Sequence, residues 1–257
     1  MKTNSPKEGW VASDSSHSLY IESIKGFLSS EESFSNFRQP SIGYNGILEH
    51  VCPRGGDIYS THLKSKYSEF LENHLENFKK NDSIGNPVLG NYEGFGKINT
   101  TTLRYIKYAA DMVENFGSLS DYNLIEIGGG YGGLARILNC IYNFKSIKLV
   151  DLPKPLELQS KYLSQFNIPC ETYQPQDNLH VEKKTLVVSN FAWCECDKDT
   201  RKKYIENIIS KCSRVYIVTY HVDTNELMTL DGEKNLDEDI YSQSTTASIF
   251  TLKKDES

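Results

Sequence analysis

Apolar residues recur along this chain in two periods, and the change from one to the other divides it. Up to about residue 118 the spacing is helical. Tyr20, Ile24, Phe27 and Leu28 share one face of a helix that Asp14 would cap. From Tyr59 to Lys80, Leu63, Tyr67, Phe70, Leu71, Leu75 and Phe78 form a stripe. Lys64, Lys66, Glu69, Glu72 and Glu76 lie off it, which predicts one long amphipathic helix with His62 and His74 at its surface. Leu103, Ile106, Ala110 and Val113 make the buried face of a further helix, opened by Asn99 or a following threonine and ended by Gly117. Residues 29–57 and 81–98 are rich in Ser, Gly, Pro and Asn and read as irregular.

Beyond residue 121 short apolar runs alternate with helical stretches. Strands are predicted at Leu124–Ile127, Ser146–Asp151, Glu171–Gln174, Thr185–Asn190 and Arg214–His221. Pro153 and Pro155 fit the first turn of the helix after the second strand, and Asp197 or Asp199 caps the one after the fourth. Residues 222–246 are polar and acidic and suggest no element, and Ser248–Lys253 reads as a last, antiparallel strand at an edge. The pattern predicts an α/β fold: a Rossmann-like, mostly parallel sheet over 119–257 with helices on both faces. Residues 1–118 form an N-terminal helical extension or lid.

The densest signal is LIEIGGGYGGLARIL, Leu124–Leu138. A buried strand runs into five glycines interrupted only by Tyr131, and Leu134, Ile137, Leu138 and Ile141 then take up helical spacing. Glycines here permit positive φ and let a ligand approach the backbone, and the helix beyond begins with unpaired N–H groups. Two templates fit. Gly128, Gly130 and Gly133 satisfy the dinucleotide pattern G-x-G-x-x-G. Glu126, Gly128, Gly130 and Gly132, with Gly129 between them, satisfy E-x-G-x-G-x-G, which looks like the first motif of class I S-adenosylmethionine-dependent methyltransferases. Glu126 favours the second. A carboxylate at the strand end suits an ammonium and repels a pyrophosphate.

Composition removes other classes. The chain of 257 residues has a formal net charge of −6, which argues against a general nucleic-acid binder. No apolar run has the length of a membrane span, and MKTNSPKEGW lacks the apolar core of a signal peptide, so a cytoplasmic protein with no membrane insertion is expected. The six cysteines show no C-x-x-C spacing and read as free thiols, and no metal site is expected. The sequence carries no signal for an oligomeric state.

Ligands of such sheets lie beyond the carboxyl ends of the strands. Those ends supply Glu126, then Asp151 for the ribose hydroxyls, then Gln174 and Asp177 beside an adenine. The fourth strand runs into Ser189-Asn190-Phe191-Ala192-Trp193-Cys194-Glu195. There Asn190 and Phe191 would touch a cofactor, Trp193 would wall an acceptor, and Glu195 would orient or deprotonate it. His221, closing the fifth strand, is a second candidate base. Arg104, Tyr105 and Tyr108 stand beside the apolar stripe of their helix, either on the acceptor side of a lid or as the solvated edge of a packing helix.

Three stretches together resemble the sugar O-methyltransferase family of bacterial polysaccharide clusters: Leu124–Leu138, LVDLPKPLELQSKYL at 149–163, and SNFAWCE at 189–195. GKINTTTLRYIKY at 96–108 is similar to that family's entry helix. The resemblance implies S-adenosylmethionine as cofactor, bound by Glu126, Gly128, Gly130, Gly132 and Asp151, with Glu195 on the acceptor side. It also implies a cell-surface saccharide or its precursor as acceptor. If the acceptor oxygen is instead an anion such as a phosphate or phosphoramidate, no base is required and Arg104 or a lysine gains weight over His221. The rival readings are a nicotinamide-dependent oxidoreductase and a non-catalytic adenosyl-binding protein.

Overall fold

The computed structural model describes residues 14–41, 43–44, 47–220, 224–241 and 247–255. A seven-stranded sheet runs through its centre. β3 (Asn123–Ile127), β4 (Ile147–Val150), β5 (Glu171–Tyr173), β6 (Thr185–Asn190) and β7 (Arg214–Tyr220) are parallel. β8 (Glu233–Glu238) and β9 (Ala247–Lys253) complete it in the spatial order β5-β4-β3-β6-β7-β9-β8. β9 is antiparallel to both its neighbours. The fold is therefore α/β with a mostly parallel, Rossmann-like sheet. Chain order reverses direction between β3 and β6, the place where such sheets open a crevice at their strand ends. The inserted β9 departs from the all-parallel six-strand order of dinucleotide-binding folds.

β3 and β6 are buried along nearly their whole length, because both faces of the sheet are covered. On one face Ile125, Ile127, Val150, Val187, Trp193 and Ile217 pack against α9 (Lys198–Tyr204) and the π-helical turn Ile205–Ile209 that continues it. On the other, Leu124, Leu149 and Val188 meet α5 (Thr100–Phe116), α6 (Gly133–Tyr142) and α7 (Pro153–Ser164). The second cluster continues into α1 (Asp14–Leu28), α3 (Pro53–Lys66) and α4 (Ser68–Lys79) through Tyr20, Tyr59, Leu63 and Phe78. The position-118 division falls in the turn between α5 and β3, and this apolar cluster crosses it.

Several caps follow the sequence. Asn99 accepts from the backbone N–H of Thr101 at 2.8 Å and of Thr102 at 3.3 Å, and Asp197 accepts from Thr200 at 2.7 Å. Other expectations are corrected. The helix expected from Tyr59 to Lys80 is two, broken at Tyr67 (φ −128°, ψ 36°), whose hydroxyl bonds Glu114 at 2.6 Å and Asp111 at 3.1 Å on α5. The stretch 29–57 holds α2 (Glu31–Ser35), capped by Ser30, and the proline start of α3. Within 81–98 lies the antiparallel pair β1 (Gly90–Tyr92) and β2 (Gly96–Ile98). Residues 222–246 include α10 (Asn225–Met228) and β8, so the edge belongs to β8 and β9 is interior. Among the described residues no helix is long and apolar enough to cross a membrane.

Candidate active site

The glycine turn is held from beneath. Gly128, Gly130 and Gly132 take φ of +70°, +60° and +91°, which admits little but glycine. A Cβ at Gly128 would lie 2.0 Å from the Cβ of Ala192, so the turn after β3 is pressed against the start of α8 (Ala192–Glu195). Tyr131 turns inward. Its hydroxyl accepts from Asn81 Nδ2 at 3.0 Å, the Arg38 guanidinium covers its ring at 4.6 Å, and Tyr162 meets it edge-on at 4.9 Å. Asn81 in turn accepts from the Tyr162 hydroxyl at 2.6 Å.

Around this turn three carboxyl groups are gathered. Glu126 is buried at the end of β3, and its Oε2 has no hydrogen-bond partner. Burial, reinforced by Asp151, pushes its pKa up to about 8. Asp151, just past β4, accepts from Leu152 N at 2.8 Å and Gln159 Nε2 at 2.7 Å, yet burial still raises it to about 7. Glu195, on α8, is also raised to about 7, by burial and then by Asp151. No lysine or arginine among the described residues forms an ion pair with any of the three.

The cleft above the turn is narrow, with a cavity volume of about 40 Å³. Gly128, Gly130, Asp151, Asn190, Phe191, Ala192 and Glu195 form one side. The other comes from the helical part: Tyr20, Ile47, Leu48, His50 and Arg104. Leu48 lies over the turn; its Cδ2 lies 2.8 Å from where a Gly130 Cβ would stand. Arg104 is buried, which corrects the solvated-edge alternative; its Nη1 contacts His50 Nε2 at 3.2 Å. Phe191 holds φ at +64°, unusual for a bulky residue, and the Oδ1 of Asn190 is buried without a donor.

Other candidates lie elsewhere. Trp193 is wholly buried in the apolar cluster against α9, because the turn of α8 points it into the sheet rather than at the cleft. Tyr105 is buried beside Tyr131, ring centroids 6.1 Å apart, and supports the cleft without lining it. Gln174 and Asp177 line a separate hollow with Tyr173, Leu179 and Tyr204, and Asp177 is engaged by the backbone of Gln174 at 2.7 Å. Gly129 packs under Glu126, and Gly132 caps α6 against Leu163 and Gln159. His221 lies outside the described residues. Sequence reasoning missed Tyr20, Leu48, His50 and Gln159. The first three reach the cleft from the irregular stretch or the first helix, where no motif marks them. Among the described residues no cluster of three or more His, Cys, Asp or Glu is arranged to hold a metal ion.

No protein-family model matches the chain, and no curated protein matches it in sequence. Solved structures do resemble it. An rRNA methylase from Streptococcus thermophilus is 16% identical, covers 60% of this chain and 95% of its own, and superposes with a TM-score of 0.44. TrmK of M. capricolum, solved in complex with S-adenosylhomocysteine, is 14% identical over 59% of this chain and 67% of its own, with a TM-score of 0.42. TehB of Haemophilus influenzae is 13% identical over 57% and 61%, also at 0.42. Likenesses this distant carry no information on ligand or reaction.

Proposed function

We propose that this chain is an S-adenosylmethionine-dependent O-methyltransferase acting on a cell-surface saccharide or its precursor. One observation carries the cofactor. Three buried carboxyl groups, Glu126, Asp151 and Glu195, surround a glycine turn at the strand ends and form no ion pair with a lysine or arginine among the described residues. Buried acids without counter-charge are costly and are retained where a cation arrives from outside. A cofactor bearing a sulfonium and an ammonium meets that demand. A nicotinamide dinucleotide would set its pyrophosphate against three acids.

When bound, such a cofactor supplies a methyl group made electrophilic by the positive sulfur. The protein supplies the rest. Glu126 Oε2, lacking a donor, is free to accept an ammonium hydrogen, and the glycines leave room for close approach. Asp151 is fixed by Leu152 and Gln159 with lone pairs left for ribose hydroxyls. Asn190 Oδ1 is an unmet acceptor on the same wall. Glu195, titrating near 7, suits a group that takes a hydroxyl proton at neutral pH. Most of the rate advantage would come from holding the acceptor oxygen in line. The saccharide acceptor follows from the sequence resemblance at 149–163 and 189–195.

Calorimetric titration of the purified protein with S-adenosylhomocysteine, alongside NAD, tests this reading. Micromolar binding of the first and none of the second is expected. Binding of NAD alone would remove the proposal. Tight cofactor binding without methyl transfer to any polysaccharide precursor would make the chain a non-catalytic adenosyl-binding protein.

A further inference from the structure

Arg104 brings to the cleft a charge that forms no ion pair among the described residues; Asp239, which accepts from Tyr59 and Tyr108, acts on it only from beyond ion-pair distance. Arg104 is 4% exposed, its Nε has no partner, and its Nη1 contact is to His50 Nε2 at 3.2 Å. Two of the other buried arginines have carboxylate partners, and the third is held by a carbonyl. Arg38 pairs with Glu49 at 2.7 Å and Asp82 at 3.1 Å, Arg201 pairs with Glu226 at 3.1 Å, and Arg136 donates to the carbonyl of Asn77 at 2.6 Å.

The histidine beside Arg104 is of a particular kind. Its Nδ1 lies 3.1 Å from the carbonyl oxygen of Ile47, which only accepts, so Nδ1 carries the proton and Nε2 receives the bond from Arg104. His50 is exposed on its outer side, but desolvation of the ring on the cleft side and the adjacent guanidinium lower its pKa to about 4, and the imidazole is neutral at working pH. A carboxylate in this place would both orient the arginine and cancel it. A neutral imidazole orients it and leaves the charge intact.

The location narrows what the charge is for. The Arg104 guanidinium stands 5.9 Å from the ring centre of Phe191, which follows β6 and meets Tyr220 at the end of β7 at 5.7 Å. The acids Glu126 and Asp151 belong to the ends of β3 and β4. Glu126 and Asp151 thus stand toward β3 and β4 and Arg104 toward β6 and β7, a side it shares with the carboxyl of Glu195 on α8. Desolvating a guanidinium without a contact ion pair is expensive, and a ligand oxyanion would restore the balance with short, charge-assisted hydrogen bonds.

We infer that Arg104, oriented by His50, holds an oxyanion, a carboxylate or a phosphate, carried by the acceptor. The inference rests on the reading above in one respect: the acid-lined side of the cleft is taken by the cofactor, which leaves this side to the acceptor.

The test is titration of the S-adenosylhomocysteine-loaded protein with inorganic phosphate and, separately, with glucuronate. At least one should bind, and which one binds identifies the group. Arg104→Gln should weaken that binding by about tenfold to a hundredfold, as loss of a hydrogen bond to a charged group does, and change S-adenosylhomocysteine affinity by less than about twofold. Arg104→Lys, which keeps the charge without the fork, should recover part of the loss and serves if the glutamine variant does not fold. Two results overturn the inference. One is that neither anion binds the loaded wild-type protein at millimolar concentration. The other is that Arg104→Gln weakens S-adenosylhomocysteine but spares 5′-methylthioadenosine, which lacks the amino-acid tail; the charge then serves the cofactor's own carboxylate. If S-adenosylhomocysteine does not bind at all, the proposed function fails, and anion binding by the unloaded protein, with and without Arg104, still decides the inference.

Discussion

Glu126, Asp151 and Glu195 keep their protons to about pH 8, 7 and 7, whereas in an unfolded chain carboxyl groups ionise near 4. Between about pH 4 and 8 the native state therefore binds more protons than the unfolded one, and stability falls as pH rises through that window. The free protein is expected to melt at a lower temperature at pH 8 than at pH 6, which scanning calorimetry in matched salt reads directly. The same ionisation bears on ligand choice. S-adenosylmethionine carries a sulfonium charge that S-adenosylhomocysteine lacks, so its relative affinity should rise from pH 6 to pH 8. Glu126→Gln should weaken both ligands by about tenfold, the cost of one charged hydrogen bond to the ammonium they share, and leave that rise in place. Titrations of both ligands at two pH values check it; a constant ratio would place the acids away from the sulfur. Glu126 and Asp151 were legible in the sequence because strand ends in a parallel sheet are positions of known consequence. His50 and Leu48 were not, since nothing in an aperiodic stretch says which residue folds back over a turn eighty residues on.

Among elements, the glycine turn depends on a post beneath it. Asn81 is buried between α4 and α5 and joins Tyr131, Tyr162 and Thr102 through its side chain. Asn81→Ala should leave the Tyr162 hydroxyl without its nearest acceptor and cost about 2–3 kcal/mol in urea unfolding, with cofactor affinity reduced as the turn loosens. Tyr131→Phe, removing one acceptor alone, should cost about 1 kcal/mol. Which elements could be read ahead follows from what builds them. TLVVSN became β6 residue for residue, because a strand buried on both faces is an apolar run. The break at Tyr67 could not be read, since the apolar stripe continues through it and the cause is a hydroxyl reaching for acids on α5. EKNLDE gave no strand signal because β8 is an edge, mostly exposed and polar.

Across the whole molecule, the helical part closes one side of the cleft and the sheet the other. The segment carrying Leu48 is held down by a buried set: Arg38 to Glu49, and Glu49 to Asn99 Nδ2 at 2.8 Å. With Leu48 lying over Gly130, passage of a nucleoside-sized ligand to the turn requires that side chain to move. Leu48→Ala should therefore speed both association and release of S-adenosylhomocysteine, with the larger effect on release because the apolar cover is also lost. Stopped-flow tryptophan fluorescence would read both rates.

β9 adds a matter of timing. It lies between β7 and β8 in space but follows both in sequence. A chain emerging from the ribosome has all five parallel strands of the cleft before it has residues 247–253. During that interval β7 holds an unpaired edge and β8, whose one partner is β9, has no place in the sheet, the condition in which neighbouring nascent chains pair with one another instead of within themselves. Closing that interval falls to β9, a strand far from any chemistry in the cleft.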